Sequence, residues 1–216
     1  MYANIPDIQT KSADYVFGKN KFEKSSYAEL GDEFAELHDD LISERFRKII
    51  QYITNEDVFI DNTFYGGGIH QGKQGSFLDM HADFNYHPLK ENWFRNLNLL
   101  LYLNPEWKEE HGGHLKLRHK ETGEKNQVGI PFNRMAIMLC RGYTLHGYSK
   151  INFPEGKFRT SIASYAYTKV DAKHEASRTT EWHIDEKGSM KYWISKIWVP
   201  AVKLKSMFFK SKTADH

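Results

Sequence analysis

In the stretch HADFNYHP, residues 81–88, His81 and Asp83 stand two positions apart, directly after QGSFLDM, which alternates like a strand. A strand sends residues i and i+2 to one face, so the imidazole and the carboxylate point the same way. Such a pair can ligate a metal, or it can be a polar pair on a strand surface. A third donor, His146 in YTLHGYSK, lies 63 residues beyond Asp83 and also follows a strand-like segment. Two imidazoles and one carboxylate form a facial donor set that suits Fe(II) and leaves octahedral positions open for exogenous ligands. A closed set of four protein ligands would be structural instead.

An exogenous chelator needs its own anchor. Arg159 lies 13 residues after His146, at the start of RTSIASYAY, where strand geometry puts Arg159 and Ser161 on one face. A guanidinium takes a carboxylate through two parallel bonds, and a hydroxyl can add one more. Tyr102, in NLNLLLYLN at residues 96–104, offers a further donor. The pair His111 and His114 in HGGH reads as a glycine turn into a strand rather than a second metal site. His87, a loop histidine before a proline, is placed near the rim of the site without a role. The glycine cluster YGGGIHQGKQGS, residues 65–76, lacks phosphate-cradle spacing. It reads as a mobile loop that would bring Tyr65, His70 and Lys73 to a substrate.

These residues must be held by strands. From about residue 57 to 168 the chain shows short strand candidates separated by turn signals: VFIDNTFY, SFLDMHADF, NLNLLLYLN, GGHLKLRH, RMAIMLC and RTSIASYAY. Such spacing predicts an all-β barrel or jelly roll. In NLNLLLYLN, Leu97, Leu99, Leu101 and Leu103 share one face, while Asn96, Asn98, Leu100 and Tyr102 share the other. The apolar face needs a helical layer, and the mixed face fits a polar cavity. Residues 26–53 supply the helix, with Leu30, Phe34, Leu37, Leu41 and Ile42 in one stripe and carboxylates on the solvated side.

At 216 residues the chain reads as one domain: a helical layer over 1–56, a core over 57–168 and an extension over 169–216. A net charge of +2 gives no global case for a nucleic-acid partner. The single cysteine, Cys140, excludes an internal disulfide and fits a reducing compartment. MYANIPDIQTKSADYVF shows no secretory pattern, and no run of about eighteen apolar residues occurs, so the expectation is a cytoplasmic protein. The tail over 187–212 carries seven lysines, five aromatics and no acids. It reads as a helix packing Trp193, Ile194, Ile197 and Trp198 on the barrel, with peripheral contact to an anionic membrane as the alternative.

Taken together, HADF, RNLNLLLYLN, GGHLKL, LHGY and KFRTSIASY resemble the 2-oxoglutarate- and Fe(II)-dependent dioxygenases, in particular the prolyl 4-hydroxylase-like branch. The resemblance covers roughly residues 60–168. It implies a mainly β fold with flanking helices, a double-stranded β-helix (jelly roll, cupin-like) at its core. It implies Fe(II) on His81, Asp83 and His146, with Arg159 and Tyr102 on the distal carboxylate of 2-oxoglutarate and Ser161 completing an R-x-S arrangement. The implied co-substrates are 2-oxoglutarate and O2, and ascorbate is admitted as an accessory. The implied reaction releases succinate and CO2 and hydroxylates a C–H bond. Halogenase relatives replace the aspartate with a small residue, so Asp83 favours hydroxylation. His114 stands where relatives often carry a glutamate, and no role is assigned to it. The substrate class stays open among a small molecule, a peptidyl residue and a glycan or lipid-linked group, and so does the oligomeric state. The competing reading is a non-catalytic double-stranded β-helix that binds a metal or a carboxylated ligand.

Overall fold

The computed structural model describes residues 5–8, 16–172 and 176–197. The chain forms β1 (Gly18–Lys24), a 3-10 turn at Tyr27–Leu30, then α1 (Asp32–Ile42) and α2 (Glu44–Thr54). The periodicity over 26–53 predicts one helix, and the structure divides it at Ser43. That residue has extended backbone (φ −65°, ψ 150°), and its Oγ accepts the Phe46 N–H at 3.1 Å, capping α2. The division tips Ile42, the last residue of the stripe, to 37% exposure, whereas Phe34 and Leu41 are buried. The assignment of residues 1–56 to helices is also corrected by β1. Its lysine-rich sequence GKNKFEK hides the alternation by which a strand is recognised, as befits an edge strand.

The remaining strands are β2 (Phe59–Ile60), β3 (Gly68–Ala82), β4 (Tyr86–His87), β5 (Lys90–Tyr102), β6 (Leu115–His119), β7 (Lys125–Val128), β8 (Arg134–Leu139), β9 (Thr144–Tyr148), β10 (Arg159–Lys169) and β11 (Glu181–Trp182). The ladder runs β4-β5-β10-β3-β9-β6-β7, with β1 and β11 also on β3, β2 on β10 and β8 on β5. The long β3 belongs to two layers. Its first part pairs with β10, from Gly68↔Ala163 to Gly72↔Arg159. Its second part pairs with β9 at Leu78↔Tyr148 and His81↔His146. One layer is therefore β8-β5-β10-β3-β1 and the other β3-β9-β6-β7. These interleaved antiparallel layers make the double-stranded β-helix that the strand pattern predicts.

The two faces of β5 are used as its sequence dictates. Leu97 and Leu99 pack with Ile50 of α2, and Leu101 and Leu103 pack with Phe34 and Leu41 of α1. Asn98, Leu100 and Tyr102 face a cavity between the layers. Each buried leucine is worth about 1.5–3 kcal/mol, so four of them on one face hold the register against a one-residue slip. Asn96 stands apart from that cavity: its amide donates to Glu56 and Thr168.

Two expectations change. Residues 68–76 are part of β3 rather than a loop. The glycines there answer close backbone approach: a Cβ on Gly67 would lie 2.4 Å from the Ala163 carbonyl oxygen, and one on Gly68 2.3 Å from that of Lys24. The C-terminal helix, described over residues 190–197, leaves Trp193 and Ile197 60% and 64% exposed instead of packing them. It turns Lys191 inward, where Nζ meets Asp79 at 2.9 Å and lies over the Phe77 ring. Trp198 and the rest of the tail lie outside the described residues. No helix among the described residues is long and apolar enough to cross a membrane.

Candidate active site

His81 and Asp83 end β3 and its exit, and His146 stands opposite His81 on β9. Donor atoms of the three lie within 4.8 Å of one another. His81 Nε2 is 3.5 Å from Asp83 Oδ1, and His146 Nε2 is 3.7 Å from Asp83 Oδ2. Both imidazoles are buried, and their ring centroids are 4.1 Å apart. His81 Nδ1 hydrogen-bonds the Asp79 carbonyl at 2.9 Å. That bond puts the ring proton on Nδ1 and turns the Nε2 lone pair toward Asp83, the state a metal ligand requires. The set therefore fits a divalent cation.

The electrostatics agree. Burial alone would raise the Asp83 carboxyl, but His146, the His81 hydrogen bond and the Arg95 guanidinium outweigh it and hold Asp83 well below the usual carboxylate range. Burial, reinforced by His81, pushes His146 down to about 3, so it is a neutral lone-pair donor at physiological pH.

Sequence reasoning missed the groups that hold Asp83. Arg95 is fully buried on β5, its guanidinium 3.3 Å from the Phe84 ring centroid and 3.5 Å from that of Tyr165. Its Nη1 is 3.6 Å from Asp83 Oδ2, and the Asn98 amide donates to the same oxygen at 3.3 Å. Arg178 Nε donates to the Asp83 carbonyl at 3.1 Å. Period-two alternation would put Arg95 on the face of Leu97 and Leu99; a register shift, in which Ala166 pairs with Leu97 but Tyr167 with Arg95, leaves Asn96 as an extra residue and brings Arg95 to the Asp83 side. Trp182 of β11 also escaped notice, although it covers the site with its ring 4.7 Å from that of His81 and stacks on Phe17.

Arg159, Tyr102 and Ser161 line the same cavity as the three donors. Arg159 Nε donates to the Gly113 carbonyl at 2.9 Å, and the guanidinium packs 4.0 Å from the Tyr148 ring centroid and 5.3 Å from that of Tyr102. The Gly112–Gly113 turn thus serves as a backbone clamp on the arginine. A Cβ on Gly113, at φ +76°, would come within 3.1 Å of Arg159 Cδ. The Tyr102 hydroxyl is buried beside the Arg159 guanidinium. Burial raises its pKa more than the neighbouring Arg159 lowers it, so it stays a neutral donor. Tyr102 and Ser161 are direct register partners, which sets their side chains side by side on the inner face.

Other histidines are placed elsewhere. His87 is not at a rim: it is buried, with Nε2 3.3 Å from Asp61, between the Trp93 and Tyr167 rings. His114 pairs with Glu109 at 2.6 Å against Trp107. Tyr65 rests on His87, and Lys73 lies over Phe22. Of the three residues expected on a lid, His70 alone lines the cavity.

The family model for the 2OG-Fe(II) oxygenase superfamily matches residues 66–195. No curated protein matches the chain. Among solved structures, a Pseudomonas putida prolyl-4-hydroxylase aligns at 20% identity and a TM-score of 0.44, over 69% of this chain and 71% of that one. A prolyl 4-hydroxylase from Phytophthora capsici aligns at 15% identity and a TM-score of 0.46, over 68% of this chain and 46% of that one. A prolyl hydroxylase from Trichoplax adhaerens, in complex with a hypoxia inducible factor peptide fragment, aligns at 19% identity and a TM-score of 0.39, over 58% of this chain and 59% of that one.

Proposed function

The chain belongs to the 2OG-Fe(II) oxygenase superfamily, and from that membership and the geometry above we propose that it is a dioxygenase of the prolyl 4-hydroxylase-like kind that hydroxylates a C–H bond. In the overall reaction 2-oxoglutarate loses CO2 and becomes succinate, one atom of O2 entering the succinate and the other the C–H bond. The observation that carries this reading is the placement of three donor atoms, from two buried histidines and Asp83, within 4.8 Å at one part of a cavity that also holds Arg159 and Tyr102.

In this reading His81, Asp83 and His146 hold Fe(II), which supplies the oxygen-activating chemistry when bound together with 2-oxoglutarate. The protein's own contribution is positional. Asp79 fixes the His81 tautomer through its carbonyl, and Arg95 with Asn98 keeps Asp83 ionised and oriented. Arg159, held by Gly113 and two tyrosine rings, presents its remaining N–H groups to a carboxylate, and the Tyr102 hydroxyl adds a donor. Trp182 and Phe17 shield the His81 side of the site from water.

The test is Fe(II)-dependent conversion of 2-oxoglutarate to succinate by the full chain. The reading predicts slow turnover even without a primary substrate, abolished in Asp83→Ala and reduced at sub-saturating 2-oxoglutarate in Arg159→Leu. A wild-type protein that never consumes 2-oxoglutarate in the presence of Fe(II) and O2 would be a binding protein, and the proposal would fall.

A further inference from the structure

The segment that follows β11 carries an apolar stripe that the core does not use. In the C-terminal helix, residues 190–197, Met190, Trp193 and Ile197 are 79%, 60% and 64% exposed. Their spacing of three and then four puts them on one face. Another face anchors the helix: Ser195 is buried, and Lys191 bonds Asp79. Ser189 starts the helix, its Oγ accepting the Tyr192 N–H at 3.1 Å. Single exposed apolar side chains are ordinary on a protein surface, whereas three along one helix mark a contact face.

The same helix borders a basic groove. This groove, of about 800 Å³, is lined by β3, β6, β7 and β9 and by the C-terminal segment. Five cations stand on its walls, Lys116, Arg118, Lys125, Lys150 and Lys191, against two carboxylates. Both carboxylates are taken. Asp79 Oδ2 holds Lys191 Nζ at 2.9 Å, and Arg118 Nη1 reaches the two oxygens of Asp185 at 2.5 and 2.7 Å. Lys116 donates to the uncharged Ser149 Oγ. Among the described residues, no carboxylate pairs with Lys116, Lys125 or Lys150. Two more exposed lysines, Lys187 and Lys196, flank the stripe itself. Over residues 187–212 the sequence has seven lysines and no acid.

We propose that this face docks on an anionic membrane surface, with Met190, Trp193 and Ile197 entering the headgroup boundary and the groove lysines facing the anionic lipids. A membrane uses both features at once, since the boundary takes apolar chains and the surface charge takes lysines. A nucleic acid would engage the cations and leave the stripe idle. A second copy docked by the same face would set one basic groove against another. The helix is about 12 Å long, so it lies along the surface, in keeping with the absence of a membrane-crossing helix among the described residues. Leu78 and Tyr148 line both the groove and the site cavity, so docking here sets the site beside the lipid surface. Docking requires no catalysis, and it stands or falls apart from the dioxygenase reading.

The test is sedimentation of the full chain with vesicles of phosphatidylcholine alone or of equal parts phosphatidylcholine and phosphatidylserine. The wild type is expected to bind the mixed vesicles, to bind phosphatidylcholine alone about tenfold more weakly or worse, and to be released by salt. Each lysine near an anionic surface strengthens binding about fivefold, so Lys125→Glu with Lys150→Glu should weaken it about twentyfold or more. Trp193→Ser with Ile197→Ser should weaken it about tenfold or more. The urea midpoint of that variant should stay unchanged, because both side chains are exposed. A wild type that ignores the mixed vesicles overturns the proposal, and so does binding that either double variant leaves intact. Loss in the lysine variant alone assigns the groove to a soluble polyanion, and loss in neither assigns the binding to another part of the chain. A wild-type dimer in sedimentation velocity that Trp193→Ser with Ile197→Ser turns into a monomer assigns the stripe to a second copy, and likewise overturns the proposal.

Discussion

Replacing Arg95 by methionine isolates the interaction that holds the Asp83 carboxylate. The guanidinium lies 3.6 Å from Asp83 Oδ2 and between the Phe84 and Tyr165 rings, with no exposed surface. Removing one partner of a buried ion pair costs about 3–5 kcal/mol, because the other charge is left uncompensated. Loss of a desolvated cation–π sandwich adds about 2 kcal/mol. Two terms work the other way. Arg95 Nε has no hydrogen-bond partner, so the substitution relieves about 1–3 kcal/mol of unmet desolvation, and methionine keeps the stem's contacts with both rings. The net expectation is a loss of about 3 kcal/mol, read as a lower urea midpoint at unchanged slope in metal-free protein. A double-mutant cycle with Asp83→Asn should return a coupling of about 2 kcal/mol, because the neutral amide no longer needs the cation. Mn(II), a redox-quiet stand-in, should raise the midpoint of Arg95→Met more than that of the wild type, since a divalent cation replaces the missing charge. A destabilisation below about 0.5 kcal/mol, or a coupling near zero, would refute the claim that Arg95 serves Asp83.

Further outcomes follow from the same geometry. His70 and His146 are both pushed down to about 3, against about 6.5 in the unfolded chain. Below that unfolded value the unfolded state binds protons that the folded state refuses, so stability rises with pH there. Metal-free protein should therefore lose urea resistance between pH 7.5 and 5, and His70→Gln should flatten the trend; a pH-independent midpoint contradicts it. Gly147→Ala sets a Cβ 2.6 Å from the Leu78 carbonyl oxygen and 2.9 Å from that of Asp79, which forces β9 off β3 beside His146. Iron affinity measured by tryptophan quenching should fall at least tenfold, and an unchanged affinity would show that β9 does not set the His146 position. Cys140 is buried and its thiol pushed up to about 12, so a thiol reagent at pH 8 should react only on unfolding; prompt labelling of native protein would contradict its burial.

The sequence made the inner face legible wherever period-two alternation survived. NLNLLLYLN gave the helix-facing leucines and the cavity-facing Asn98, Leu100 and Tyr102, because both faces of that strand are buried against chemically different partners. That His81, Asp83 and His146 meet on a cavity shared with Arg159 accords with their expected places on strands, since strand ends and ladder registers fix where such side chains meet. What escaped lay where pattern and structure part company. The glycine run of β3 looks like a loop, yet its glycines mark close backbone approach. The lysines of β1 mask an edge strand whose Lys21 points inward. Arg95 carried no motif that singled it out, and only the aromatic rings folded over it from Phe84 and Tyr165 make its burial intelligible. Trp182 reaches His81 through a two-residue strand, too short to show any period.

The account stands most directly on whether the three donors hold Fe(II) with positions left for 2-oxoglutarate. An anaerobic titration of Fe(II) with 2-oxoglutarate, watching the weak visible metal-to-ligand charge-transfer band in wild type and in His81→Ala, tests this in one experiment. The account predicts a band in the wild type that is absent in the variant. Iron binding without a band in the wild type, or an equal band in His81→Ala, would contradict it.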